Sequence, residues 1–204
     1  MTNCSGHSHD HEHEVVEEVS IHLRDLIDFT GVTCLNESVS GSCKSILKSY
    51  QERLLSSSSS LVSTVDPELL LHVPFTEAVT ITSLSICGPT HSGRTTNPDG
   101  NPSSTRNTST PTTNGPWHID IYVDRNDLDF DIVQEMTPAM TLELVPPHHE
   151  REGETIDYYV TNRGKFQNIS SVTLYVRDNF GGDNDESLTE VRKLYIHTHM
   201  YGWK

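Results

Sequence analysis

The sequence is poor in apolar residues and has no long hydrophobic run. Apolar side chains make up 33% of its 204 residues, against roughly 45–50% (glycine included) in a typical globular chain. The shortfall is uneven, which predicts a folded core joined to polar segments that do not fold. No run approaches the roughly 20 apolar residues of a membrane span, and no signal peptide is recognisable. We therefore expect a cytoplasmic or nuclear protein with no membrane partner.

Basic residues are also few. The chain has 14 lysines and arginines against 29 aspartates and glutamates, a formal net charge of -15. Such a surface repels phosphate backbones, so we expect no nucleic-acid partner. In a reducing compartment the cysteines are expected to be free thiols; they are Cys4, Cys34, Cys43 and Cys87.

Signatures of catalysis are missing as well. The chain has no Gly-x-Ser-x-Gly elbow, no phosphate-binding Gly-Lys-Ser/Thr loop and no His-Glu-x-x-His. One stretch, Cys87-Gly88-Pro89-Thr90, differs by one residue from the Cys-Gly-Pro-Cys of thioredoxins. Thr90 cannot resolve a mixed disulfide, and the residues after it do not suggest the helix that lowers a thiol pKa. We interpret Cys87 as a core cysteine before a turn, and a monothiol redox enzyme is the alternative.

The first 19 residues are acidic and rich in histidine. They cannot bury enough surface to offset the entropy of ordering, so residues 1–19 are predicted to be a disordered tail. Alternating histidines suit zinc, nickel or copper, and the candidate metal ligands are Cys4, His7, His9, His11 and His13. A disordered tail offers no fixed geometry, so binding there would be loose. Metal handling is one alternative function, and no cofactor is predicted.

From residue 68 onward the pattern indicates β-structure. Seven or more short segments with strand periodicity are separated by turn signals, and no long amphipathic helix appears. This arrangement predicts a β-sandwich or barrel. The apolar run "ELLLHVPF" is typical of a strand buried on both faces. In "AVTITSLSIC" the alternation changes parity, which predicts a β-bulge near Thr82 or Ser83.

A long polar stretch interrupts the strands. Residues 90–116 are almost entirely Ser, Thr, Asn, Gly and Pro, which predicts an inserted loop within a single domain at residues 20–204. After it, "WHIDIYV" alternates, with Trp117 in phase with Ile119 and Ile121. Trp117 is therefore predicted to pack in the core. A sugar-stacking role for Trp117 would make the protein a small-ligand, carbohydrate-like binder, a second alternative function.

Three polar clusters deserve a structural interpretation. The spacing of Asp127, Asp129 and Asp131 begins like an EF-hand loop, but the turn glycine is missing, so a solvated face of an extended segment is favoured. The acidic stretch Asp178 to Glu186 is interpreted as a hairpin connection, with a calcium site as the alternative. His197 and His199 share a face of the last strand and are interpreted as an exposed or edge-strand pair.

Three stretches together carry a resemblance to a known family. They are "CLNES" at 34–38, "DPELLLHVPFTEAVTITSLSICGP" at 66–89 and "GKFQNISSVTLYVRDNFGG" at 164–182, with "LDFDIVQEMTPAMTLEL" as a weaker fourth. In this order the chain resembles the PITH domain, the module named for thioredoxin-like proteins that bind the proteasome. The resemblance implies an all-β, jelly-roll sandwich of the galactose-binding-like type, in agreement with the strand count.

The resemblance also implies a function. It suggests a non-enzymatic protein-interaction module that docks on the proteasome regulatory particle or a related assembly, with a regulatory role in gene expression. The thioredoxin of the family name is a separate domain, so the resemblance implies that Cys87-Gly88-Pro89 ends a core strand. Two departures stand out: the 90–116 segment is longer than the family's short connection, and the ending "YIHTHMYGWK" is altered.

Overall fold

The described strands form two facing sheets and a small third one. The structure is a computed structural model and describes residues 20–49, 52, 59–89, 113–146, 156–181 and 187–199. The predicted tail and most of the predicted insertion lie outside these residues. No helix within them is long and apolar enough to cross a membrane.

The strands are β1 Ser20–His22, β2 Thr33–Leu35, β3 Leu61–Val62, β4 Leu69–Val79, β5 Ser83–Cys87, β6 Thr113–Asn114, β7 His118–Val123, β8 Met140–Glu143, β9 Asp157–Tyr159, β10 Ile169–Val176, β11 Leu188–Val191 and β12 Lys193–His199. The helices are α1 Ser42–Ile46 and α2 Phe130–Glu135, with 3-10 turns at Leu23–Leu26 and Arg163–Phe166. The sheet orders are β1-β12-β5-β9, β2-β4-β10-β7-β8 and β3-β11-β6.

The core lies between the four-stranded and five-stranded sheets. Alternation along β10 sends every second side chain inward, opposite inward residues of β4 and β7. The four-stranded sheet contributes apolar side chains from β5 and β12 to the same cluster. Residues of these strands that belong to the cluster include Leu69, Leu71, Val73, Leu84, Ile86, Ile119, Ile121, Val172, Leu174, Val176, Leu194 and Ile196. The β-sandwich predicted from the sequence is confirmed.

The predicted β-bulge near Thr82 or Ser83 is wrong. Residues 80–82 are not strand, and β4 and β5 lie in different sheets. The chain crosses from one sheet to the other there, anchored by Ile81 N donating to Phe166 O at 2.9 Å and Thr82 N donating to His197 O at 2.8 Å. The crossing changes which parity faces the core, so Val79 and Leu84 are both buried.

A short helix covers part of the outer face of the five-stranded sheet. A second buried cluster lies between α2 and this sheet, with Val133 contributed by α2 and Leu70, Tyr122 and Tyr175 by the strands. Asp129 is the N-cap of α2, and its Oδ1 accepts a hydrogen bond from Ile132 N at 2.8 Å. Asp127, Asp129 and Asp131 are exposed, as the predicted solvated face requires, but the extended segment is wrong, because Asp129 starts a helix and Asp131 lies in its first turn.

Replacing Asp129 by alanine should lower the free energy of unfolding by about 1 kcal/mol, because the first turn of α2 loses its side-chain acceptor. Urea denaturation measures the change. Asp131→Ala is the matched control, since it removes an exposed carboxylate of the same helix without removing the cap. Equal losses in the two variants would contradict the capping role.

Two further predictions about strand neighbours are wrong. No hairpin joins Val176 to Val191, because β10 pairs with β4 and β7 whereas β11 pairs with β3 and β6. The final strand is not at an edge, since β12 lies between β1 and β5. The His197 side chain is accordingly only 11% exposed, and the His199 side chain lies outside the described part of the chain.

Candidate functional site

At the end of the sandwich where β5 stops and β7 starts, the backbone at Gly88 packs tightly against neighbouring backbone segments. A Cβ added to Gly88 would lie 2.5 Å from Gly115 Cα and 3.0 Å from Glu190 O. Only glycine allows two backbone segments to approach this closely. Cys87-Gly88-Pro89 therefore ends a core strand, as the resemblance implied, and its glycine serves packing. The described part of the chain stops at Pro89 and resumes at Thr113, close to this contact.

The backbone just before β7 pairs with the turn that follows β10. Trp117 N donates to Asp178 O at 3.1 Å, and Phe180 N donates to Gly115 O at 3.0 Å. Pro116 and Asn179 form an antiparallel bridge between these two bonds. We call residues 88–89, 115–118 and 178–181 the insertion rim. The predicted insertion therefore extends too far: residues 113–114 form β6, and residues 115–116 belong to the insertion rim.

Within the insertion rim, the buried side chain of Asn179 makes several hydrogen bonds. Its Nδ2 donates to Ser187 O at 3.0 Å and to Thr189 Oγ1 at 3.2 Å. Its Oδ1 accepts from Gly181 N at 2.8 Å and from Ser187 Oγ at 3.0 Å. Thr189 Oγ1 continues the network to Pro67 O at 2.6 Å. The network joins the turn after β10 to β11, so the rim is a rigid surface rather than a free loop.

The rim also carries partly exposed aromatic rings and a carboxylate. Trp117 and Phe180 are stacked with centroids 5.9 Å apart, and the Trp117 and His118 centroids are 4.3 Å apart. His118 Nδ1 lies 2.8 Å from Asp178 Oδ2, and His118 N donates to Asp178 Oδ1 at 2.9 Å. Trp117 is partly exposed, so the prediction that it packs in the core is wrong: β7 begins one residue later, at His118.

A serine, a histidine and an aspartate also meet on the four-stranded sheet, but not as a catalytic triad. Ser85 Oγ donates to the Asp157 carboxylate and lies 2.8 Å from His197 Nε2. In a triad the histidine lies between the serine and the acid. Here Ser85 lies between them, with His197 Nε2 and Asp157 Oδ1 3.8 Å apart, and Ser85 is buried. This arrangement ties β5, β9 and β12 together.

The described cysteines are not activated thiols. Burial raises the pKa of Cys87, despite the neighbouring Lys193 and Arg192, which act in the opposite direction. Burial also raises the pKa of Cys34 far above the range of a free thiol and that of Cys43 to about 11. A redox nucleophile requires the opposite shift. Nothing at these positions favours the redox alternative.

In the folded protein at pH 7.5, Cys34, Cys43 and Cys87 should react with iodoacetamide at least about tenfold more slowly than the same thiols in urea-unfolded protein. The raised pKa keeps each group protonated, and only the thiolate attacks. For Cys43 the rate should rise only as the pH approaches 11. Peptide mass spectrometry measures each site separately. Rapid labelling of Cys87 in the folded state would contradict this account.

The structure tests the metal sites proposed from the sequence only in part. Cys4, His7, His9, His11 and His13 lie outside the described residues, as do residues 182–186 of the acidic stretch after Asp178. Within the residues that the structure does describe, no group of three or more His, Cys, Asp or Glu side chains could hold a metal ion.

Sequence reasoning missed the residues that shape the site. Asn179 and Gly181 act through buried hydrogen bonds and close packing, which no periodicity reports. The signal that could have pointed to them is their place in "DNFGG", part of one of the stretches that carried the family resemblance.

Comparison with known proteins agrees with this geometry. The F5/8 type C domain of a Bacteroides fragilis protein superposes with a TM-score of 0.51 and 10% identity, over 89% of this chain and 96% of that domain. The two sheets and the rigid turns at their end thus define a galactose-binding-like β-sandwich. At 10% identity the likeness shows the fold alone.

Sequence comparison identifies the family within that class. The family model of the PITH domain matches residues 13–199, and the chain belongs to the PITH domain family. PITH domain-containing protein 1 of Dictyostelium discoideum is 29% identical over 178 residues, covering 87% of this chain and 74% of that protein. Thioredoxin-like protein 1 of Schizosaccharomyces pombe is 25% identical over 85% of this chain, which spans 50% of that relative's length.

Proposed function

We propose that this chain is a non-enzymatic protein-interaction module that docks on the proteasome regulatory particle or on a related large assembly. The observation that carries the proposal is the family match over residues 13–199. A thioredoxin-like protein shares the module along 85% of this chain. Since the redox motif of a thioredoxin is missing from this chain, the shared property is expected to be binding rather than catalysis.

The physical properties of the chain support such a role. Rigid scaffolds that present loops are suited to recognition, and the insertion rim combines backbone packing at Gly88 with a buried network at Asn179. A formal net charge of -15 favours partners with basic surfaces and speeds their encounter. Under this proposal the protein acts in the cytoplasm and nucleus.

Biolayer interferometry tests the proposal. The full chain is immobilised through a biotin tag, and purified regulatory particle is titrated over it at physiological salt. We expect saturable binding that weakens as salt rises, since complementary charges are screened. The isolated proteolytic core particle is the matched control and should not bind. Equal signals from both particles, or none from the regulatory particle, would refute docking on the regulatory particle.

A further inference from the structure

Three exposed apolar side chains lie on the segments next to Asn36, at the edge of the five-stranded sheet opposite β8: Leu35 precedes Asn36, Val39 follows it by three residues, and Val65 N donates to its Oδ1. Their exposed fractions are 43% for Leu35, 66% for Val39 and 76% for Val65. They are half of the six large apolar side chains that are exposed in the described part of the chain. We call Leu35, Val39 and Val65 the Asn36 patch. Clustered exposed apolar residues on a soluble domain are typical of interaction sites.

The Asn36 patch is held in place by side-chain hydrogen bonds. Asn36 adopts the left-handed conformation, with φ 66°, and its Nδ2 donates to Asp66 Oδ1 and to Glu68 O, both at 2.7 Å. Its Oδ1 accepts from Val65 N at 3.3 Å. The segment after β2 and the segment before β4 are therefore joined through one side chain. This fixes Leu35 and Val65 relative to each other before any partner arrives.

The Val39 side of the patch is fixed by Glu37. Its carboxylate accepts from Gly41 N at 2.5 Å and from Cys43 N at 3.0 Å, at the start of α1. Burial raises the pKa of Glu37, but these hydrogen bonds outweigh it and lower the pKa below its usual value. Glu37 thus remains a carboxylate at neutral pH, next to the exposed Val39.

The surroundings of the patch are acidic. Glu37, Asp66 and Glu68 lie among its residues, and none of them takes part in an ion pair between described residues. Glu68 accepts a hydrogen bond from the neutral Tyr175 hydroxyl. An apolar centre within a net negative rim is complementary to apolar side chains flanked by lysine or arginine.

We propose that the Asn36 patch is the docking surface for a basic, amphipathic segment of a partner protein, in which leucine-like side chains alternate with lysines or arginines. This inference rests on the proposed function, and it specifies the chemistry of the partner segment that binds the Asn36 patch. A second copy of this chain fits less well, because it would bring acidic rim against acidic rim. An anionic membrane is disfavoured for the same reason.

The test uses the full chain and two fluorescein-labelled synthetic peptides of equal length and charge, one of alternating leucine and lysine and one of alternating serine and lysine. Fluorescence anisotropy measures each dissociation constant. The wild-type chain should bind the leucine peptide at least about tenfold more tightly, because only that peptide covers the apolar centre. The serine peptide measures attraction by the net charge alone.

The deciding variant is Leu35→Ser combined with Val65→Ser. It should bind both peptides alike, while the matched control Val145→Ser with Ile156→Ser should keep the tenfold preference. Val145 and Ile156 are each 44% exposed, next to β8 and β9. Val65→Ser alone changes the most exposed position and is therefore expected to fold even if the double variant does not. It should reduce the preference for the leucine peptide by about half or more. An undiminished preference in all variants, or none in the wild type, would overturn the proposal.

Two further outcomes distinguish this inference from the proposed function and from dimerisation through the Asn36 patch. Because the peptide assay needs no proteasome, failure of the regulatory particle to bind would remove the proposed function and leave the peptide result to decide the inference. Sedimentation equilibrium tests the second copy as occupant. A dimer that dissociates on Leu35→Ser with Val65→Ser, and persists in the control variant, would overturn the proposal.

Discussion

Replacing Gly88 by alanine should lower the free energy of unfolding by about 3 kcal/mol. The added Cβ would lie 2.5 Å from Gly115 Cα and 3.0 Å from Glu190 O, and both are backbone atoms that cannot rotate away. Relief requires β5 to move away from the segment before β7, which disturbs the insertion rim. The urea midpoint, followed by tryptophan fluorescence and circular dichroism, measures the loss.

Two other glycines are matched controls for Gly88→Ala. At Gly164 an added Cβ meets nothing closer than Asn162 Oδ1 at 3.5 Å. At Gly115 its nearest contact is Gly88 Cα at 3.6 Å, an ordinary van der Waals distance. Both alanine variants should stay within about 1 kcal/mol of the wild type. A small loss at Gly88, equal to the loss at Gly164, would contradict the packing assigned to the Cys87-Gly88-Pro89 stretch.

Replacing Asn179 by alanine should also cost about 3 kcal/mol. The substitution leaves the Ser187 carbonyl without its Nδ2 donor and Gly181 N without its Oδ1 acceptor. Asn179 is buried, so water cannot replace these bonds without opening the turn. Urea denaturation measures the stability, and hydrogen exchange should show faster exchange of the Gly181 amide.

The control for Asn179→Ala is Asn162→Ala, because Asn162 is exposed and its side chain does not cap the 3-10 turn that follows it. That variant should stay within about 0.5 kcal/mol of the wild type. If Asn179→Ala were as mild as Asn162→Ala, the buried network would not be what stiffens the rim.

The strands were predictable because alternation is a local property. Val172, Leu174 and Val176 share the inward face of β10, as the period of two requires. Which strands pair in a sheet depends on residues that are far apart in the sequence, and local patterns do not report such pairing. The parity change after Ile81 fits a bulge and a crossing between sheets equally well, and the pairing of β5 with β12 and β9 distinguishes them.

Short elements at the ends of strands were harder to predict. The six residues of α2 are too few for a 3.6-residue period to stand out. Trp117 follows the phase of β7, but it precedes the strand and turns toward Phe180 instead of the core. Asn36 bonds to residues about 30 positions along the chain, and Asn179 bonds across a turn whose shape no periodicity reports, so the sequence showed their motifs without showing their role.

Cosedimentation of the tagged full chain with proteasomes on a glycerol gradient tests the central claim most directly, first in native lysate and then with purified particles. The account predicts that the chain moves with the regulatory particle in both settings, and that the core particle alone leaves it at the top of the gradient. A chain that stays at the top in both settings would contradict docking on the proteasome, and its partner would then be a different assembly.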